Sequence, residues 1–167
     1  DGDAEILPRG STTVLSQGDT GATNWPFYRD NIIGGSQLRI RLAISPSIMG
    51  EYEDRGCFIY LDQVDVEACV QVIEDGGEHI WGVAANLTDR ACGDNDPREI
   101  MRRVLEIAEL TGRPILYGVR REPSDWPLAE QLSVLRPGDV FTYCFQSDAE
   151  SIVRDGKIRD EVWEAQE

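Results

Sequence analysis

The side chains best placed to do chemistry are two tyrosines and an aspartate, each at the end of a short apolar or β-branched run. Tyr117 closes Ile115-Leu116-Tyr117, Tyr143 closes Val140-Phe141-Thr142-Tyr143, and Asp19 follows Thr12-Thr13-Val14-Leu15-Ser16 by three residues. Two phenols on adjacent strands could face one pocket, with Trp25 or Trp126 near its rim, and a carboxylate at a strand end could exchange protons with a ligand. The structural alternatives are bulky aromatics that fill space and an aspartate that shapes a turn. Histidine chemistry has little material here. The chain has one histidine, His79, and one lysine, Lys157. A histidine-based metal site or an imidazole-assisted serine or cysteine triad is therefore not expected, and His79 reads as a turn residue.

Two further motifs are open to a ligand. Gln17-Gly18-Asp19-Thr20-Gly21-Ala22 is a Gly-rich turn before a helix, which could cradle phosphate, although its spacing matches neither common phosphate loop and a plain tight turn fits as well. Glu51-Tyr52-Glu53-Asp54 is an acidic stretch that could hold a cation or simply face solvent. The four cysteines, Cys57, Cys69, Cys92 and Cys144, have no CxxC spacing and read as free thiols of a reducing, cytoplasmic compartment. Cys144, next to Tyr143, should point away from the tyrosine's face.

The elements that must position these groups alternate between strand and helix. Gly112 to Phe145 holds two apolar strands, Pro114 to Val119 and Asp139 to Phe145, joined by an amphipathic segment that Arg136-Pro137-Gly138 stops. Earlier strands are read at Ser11 to Ser16, Leu38 to Ser45 and Ile80 to Ala85. A helix is expected around Trp25 to Ile33. Another starts at Asp65, with Val66, Cys69, Val70 and Ile73 at core spacing, and a third is capped by Asp96 with Pro97 at its first position. Strand starts near 12, 39, 80, 114 and 140 approximate the repeat of about 31 residues expected for eight units in about 250 residues. The expected fold class is α/β, with parallel strands buried on both faces.

On these residues the chain resembles the amidohydrolase superfamily, in its deacetylase and dihydroorotase-like branch. The resemblance rests on Thr12-Thr13-Val14-Leu15, on the helix start Asp65-Val66-Glu67-Ala68, and on Leu135-Arg136-Pro137-Gly138-Asp139 followed by Thr142-Tyr143-Cys144-Phe145. It rests also on Asp155-Gly156-Lys157 with Glu161-Val162-Trp163-Glu164-Ala165. It implies a TIM-type (β/α)8 barrel, of which residues 1–167 supply strands two to six as one unit. It further implies a zinc-type centre that activates water against an amide or imide carbonyl. Carried over residue by residue, the fourth-strand lysine of that centre falls on Ala84, the fifth-strand histidine on Tyr117 and the sixth-strand histidine on Tyr143. Alanine cannot coordinate, and phenols of pKa about 10 make poor zinc ligands. The chain itself thus implies no cofactor, with zinc expected only if the family chemistry survives.

Charge narrows the partners. Sixteen basic residues against 31 acidic ones leave a net of −15, which repels nucleic acid and anionic membranes. No apolar run approaches the roughly 18 residues of a membrane span, and no signal-peptide pattern opens the chain. The expected partners are a small amide or imide ligand and whatever covers the two sheet edges, either further barrel segments or a second copy. Two functional readings compete: a degenerate amidohydrolase with a binding or structural role, and an active hydrolase of the deacetylase or cyclic-imide type that uses a non-standard site or ligands outside these residues. A flavodoxin-like open sheet is a third arrangement of the same elements.

Overall fold

In the computed structural model, residues 2–51, 56–121 and 125–166 are described. Five parallel strands follow one another in the order of the chain: β1 (Thr13–Gln17), β2 (Arg39–Ile44), β3 (Ile80–Asn86), β4 (Ile115–Gly118) and β5 (Val140–Thr142). A flavodoxin-like sheet would place β2 outside β1 and reverse direction there. Sequential order without a reversal instead gives a sheet that curls one way, half of a TIM-type barrel. The strand starts agree with the sequence reading to within a residue or two.

The helices form where local signals ask for them. A short helix, α1 (Gly2–Ile6), precedes β1, and α2 (Trp25–Phe27) runs on into a π-helical turn, Tyr28–Ile33. Asp65 accepts the Ala68 N–H (2.9 Å) and caps α3 (Val66–Gly76). Thr88 caps α4 (Asp89–Cys92). Asp96 caps α5 (Pro97–Thr111), its carboxylate accepting the Arg98 N–H at 2.9 Å. α6 (Leu128–Ser133) connects β4 to β5. A small hairpin, β6 (Val153–Arg154) with β7 (Lys157–Ile158), turns at Asp155-Gly156 and leads to α7 (Asp160–Glu164). No helix among the described residues is long and apolar enough to cross a membrane.

The main core lies between the sheet and the helices on its convex side. Leu42, Ile44, Ile80, Val83 and Ile115 from the strands meet Cys69, Ile73, Ile100, Val104 and Ile107 from α3 and α5. The concave face is lined by smaller residues, with Ala43, Ala84 and Leu116 packed beside Trp81. β5 is shorter than the sequence reading because Tyr143 adopts φ 57°, a left-handed conformation that ends the extended run. His79 sits in a 3-10 turn just before β3. The four cysteines are unpaired.

Candidate functional site

Strand register decides which side chains reach the inner face. Ala84 pairs with Leu116, which pairs in turn with Val140, and Asn86 pairs with Gly118, which pairs in turn with Thr142. Because side chains alternate, Asn86 and Gly118 follow Ala84 and Leu116 onto the concave side, and Tyr117 must point the other way. Tyr117 is fully buried in the helix-side core, its ring 5.8 Å from Phe141 and 6.4 Å from Trp126, its hydroxyl donating to Gln131 Oε1 at 2.7 Å. Burial pushes its phenol well above the ordinary value. The placement of the fifth-strand ligand on Tyr117 is thus one residue out of phase: the inner-face position at this strand end is Gly118.

Tyr143 and Tyr117 therefore form no hydroxyl pair. Tyr143 lies on the inner side, where its ring carbon Cδ2 is 3.1 Å from the point a Gly118 Cβ would occupy. The Arg121 guanidinium sits 5.8 Å from the centre of its ring. Glycine at 118 is what gives Tyr143 and the Asn86 amide, at 2.8 Å from the same point, their room. Trp25 and Trp126 are buried in the helix-side core and take no part in a pocket rim. Ala84 faces inward, packed with Ala43 and Leu116.

At the other side of the mouth, two loops interlock. The Gly18 N–H donates to the Ala43 carbonyl, the Gly21 N–H to Asn24 Oδ1 and the Thr23 N–H to the Ile48 carbonyl. With these donors engaged in holding the chain, the Gly-rich turn acts as a clamp between the two loops. Asn24 also donates to the Met49 carbonyl and accepts the Thr20 hydroxyl. Gly50 lies against the Thr20 backbone, which a Cβ would approach to 2.6 Å. The clamp sets Glu51 beside the strand ends, its N–H donating to the Gly18 carbonyl at 2.7 Å.

Glu51 is the group that sequence reasoning passed over within its acidic stretch; Tyr52, Glu53 and Asp54 lie outside the described residues. Burial pushes the Glu51 carboxyl up to about 7, the nearby Asp19 charge adds to the rise, and a hydrogen bond from Asn86 partly offsets it. Asp19 itself is exposed and accepts the Ser16 hydroxyl at 2.5 Å. At the strand ends, Gln17 Nε2 on β1 and Asn86 Oδ1 on β3 are buried without a hydrogen-bond partner among the described residues, and Asn86 is the residue that bonds Glu51. One donor and one acceptor are left to be satisfied.

The residues present do not fit the zinc centre that the resemblance implies. At the inner strand ends stand Ala84, Asn86, Gly118 and Tyr143, and no group of three histidine, cysteine, aspartate or glutamate side chains among the described residues could hold a metal ion. What the arrangement can do is bind a polar group and exchange a proton at Glu51.

No protein-family profile matches the chain. Among curated proteins it is 24% identical over 155 residues to a deacetylase of Agrobacterium fabrum, covering 87% of this chain and 35% of that protein. It is also 24% identical over 170 residues to a deacetylase of Enterococcus faecalis, covering 95% and 42%. Among solved structures it superimposes on an adenine deaminase with a TM-score of 0.87 and 23% identity, over 99% of this chain and 44% of that one. A dihydroorotase follows with a TM-score of 0.85 and 23% identity, over 94% and 50%. The chain thus spans well under half the length of those curated relatives and half or less of the two structures. In sequence it is similar to deacetylases and in fold to an adenine deaminase and a dihydroorotase, and on both counts it resembles the deacetylase and dihydroorotase-like branch of the amidohydrolase superfamily.

Proposed function

We propose that this half-barrel is a degenerate amidohydrolase site that binds a small amide or imide without holding zinc on its own strands. The observation that carries the reading is that two buried side-chain atoms at the ends of β1 and β3 have no partner among the described residues, one of them on Asn86, which bonds Glu51. Gln17 Nε2 is a donor matched to an amide carbonyl, and Asn86 Oδ1 is an acceptor matched to an amide N–H. Each such group left unsatisfied costs about 1–3 kcal/mol, which a ligand of that pattern recovers. A covering ligand desolvates Glu51 further and so favours its neutral form. Leu15 on β1 and Val140 on β5 are exposed on the two edge strands, so further barrel segments or a second copy complete the wall. The four unpaired thiols support a reducing, cytoplasmic setting.

A second reading is an active deacetylase or cyclic-imide hydrolase with ligands from outside these residues. It is favoured by the position of Glu51 near neutrality, where a general acid or base works best.

Calorimetry with an N-acetylated amino acid and with a cyclic imide, joined to a turnover assay with and without a chelator, separates the two. The expected outcome is saturable binding without turnover. The affinity falls as pH rises through about 7, where Glu51 loses its proton, and in Glu51→Gln this pH dependence is absent. Chelator-sensitive turnover with about one zinc per chain would overturn the binding reading in favour of the second.

A further inference from the structure

A cavity of about 400 Å3 lies on the opposite, convex side of β1, away from the inner face. Val14 and Ser16 of β1 share this outer side with their register partners Ile40 and Leu42. The cavity walls are apolar: Val14 and Ile40 from the sheet, Ile6 from α1 and Ile32 from the π-helical turn. Its size falls in the range of small-molecule pockets, and π-helical turns often mark functional sites.

Its polar end is a chain of three groups. The Tyr28 hydroxyl donates to Ser16 Oγ at 2.9 Å, and the Ser16 hydroxyl donates to Asp19 Oδ2 at 2.5 Å. The two charged residues in the lining are both acids, Asp19 and Asp3, and no basic residue joins them among the described residues. Asp3 is engaged elsewhere, accepting the Ser36 hydroxyl and the Gln37 N–H. Asp19 receives the Ser16 hydroxyl and has no ion-pair partner among the described residues. A largely apolar cavity with an exposed carboxylate at one end suits a cation with an apolar body, and the net charge of −15 draws such a molecule in.

We propose that this cavity is a binding site for a small primary amine with an apolar body. The ammonium sits on Asp19, and the hydrocarbon lies between the sheet, α1 and the π-helical turn. The Ser16 hydroxyl holds the carboxylate in place, and Tyr28 holds Ser16. This goes beyond the inner-face reading and uses the other side of the sheet.

The test is titration of the purified protein with phenethylamine, 2-phenylethanol and phenylacetate, followed by calorimetry and by chemical-shift changes at Val14, Tyr28 and Ile32. Saturable binding of the amine is expected, at least tenfold tighter than the alcohol, with no binding of the carboxylate. Asp19→Asn should lower amine affinity at least tenfold and leave the alcohol's affinity unchanged. Ile32→Trp, at a half-exposed wall position, should fill the chamber and abolish amine binding while the circular dichroism stays native. Equal affinity for amine and alcohol, amine binding unaffected by Asp19→Asn, or no saturable binding would each overturn the proposal. Amide binding at the inner face is read separately, so failure at one site leaves the other's result intact.

Discussion

Gly21→Ala is expected to destabilise the protein by about 3 kcal/mol or more, the largest effect of any single methyl group at the mouth. A Cβ at this position would stand 1.8 Å from the Ser47 carbonyl oxygen and 2.6 Å from the Ile48 carbonyl carbon. Both are backbone atoms, so no side-chain rotation relieves the clash. The loop after β2 has to move away from the turn after β1, breaking the hydrogen bonds from Thr23 to Ile48 and from Asn24 to Met49. Glu51, which the same interlock carries, leaves its place. Urea denaturation measures the first effect, as a lower midpoint with an unchanged slope. A loss below about 1 kcal/mol would show that the two loops are not locked as described.

Asp139→Ala is the second large effect, and it explains the Leu135-Arg136-Pro137-Gly138-Asp139 motif in physical terms. The Asp139 side chain is 1% exposed. It accepts the Ile115 N–H at 2.8 Å, the Arg136 N–H at 2.8 Å and the Arg136 guanidinium at 3.0 Å, and Arg136 in turn donates to the Arg113 carbonyl. The motif thus ties the start of β4 to the start of β5, at the end of the sheet remote from the site. Removing the carboxylate leaves two N–H groups without their acceptor and the guanidinium with only the Arg113 carbonyl, at a cost of about 3 kcal/mol.

The pH dependence of this contribution has a definite sign. Burial works against the Asp139 charge, but the hydrogen bonds from Arg136 and Ile115 outweigh it and hold the pKa below its ordinary 3.8. A carboxyl with a depressed folded-state pKa contributes fully above the unfolded value and loses its contribution as pH falls through the folded one. The stability gap between wild type and Asp139→Ala is therefore widest near neutrality and narrows below 3.8. Denaturation at both pH values checks this, and a gap that widens in acid would contradict it.

The architecture was readable from the chain because its signals are local. Asp65 and Asp96 stand before periodic apolar stripes, Pro97 opens a helix, and apolar runs recur at barrel spacing. The facing of Tyr117 was not readable. A parallel strand buried on both sides is apolar throughout, so Ile-Leu-Tyr-Gly has no polar alternation to say which residues face the concave side. Register with Asn86 settles it. Glu51 was hidden for a different reason. It sits in a loop beside other acids and reads as solvated, and only the close backbone approaches at Gly21 and Gly50 bring it against Gly18 and Asn86. Those approaches join segments about thirty residues apart, which no window on the sequence contains. Asp19 was legible as a carboxylate at a strand end, but its link through Ser16 to Tyr28, which puts it at the junction of the inner mouth and the outer cavity, was not.

The central claim is that the mouth is built around a half-buried carboxyl that takes and releases its proton near neutrality. The most direct measurement is the carbon-13 chemical shift of the Glu51 carboxyl followed against pH, with Glu51→Gln to assign the signal. A midpoint at about 7 is expected, falling when Asp19→Asn removes the neighbouring charge. A midpoint at the ordinary 4.5, unmoved by Asp19→Asn, would show Glu51 to be a solvated loop residue and would contradict the account.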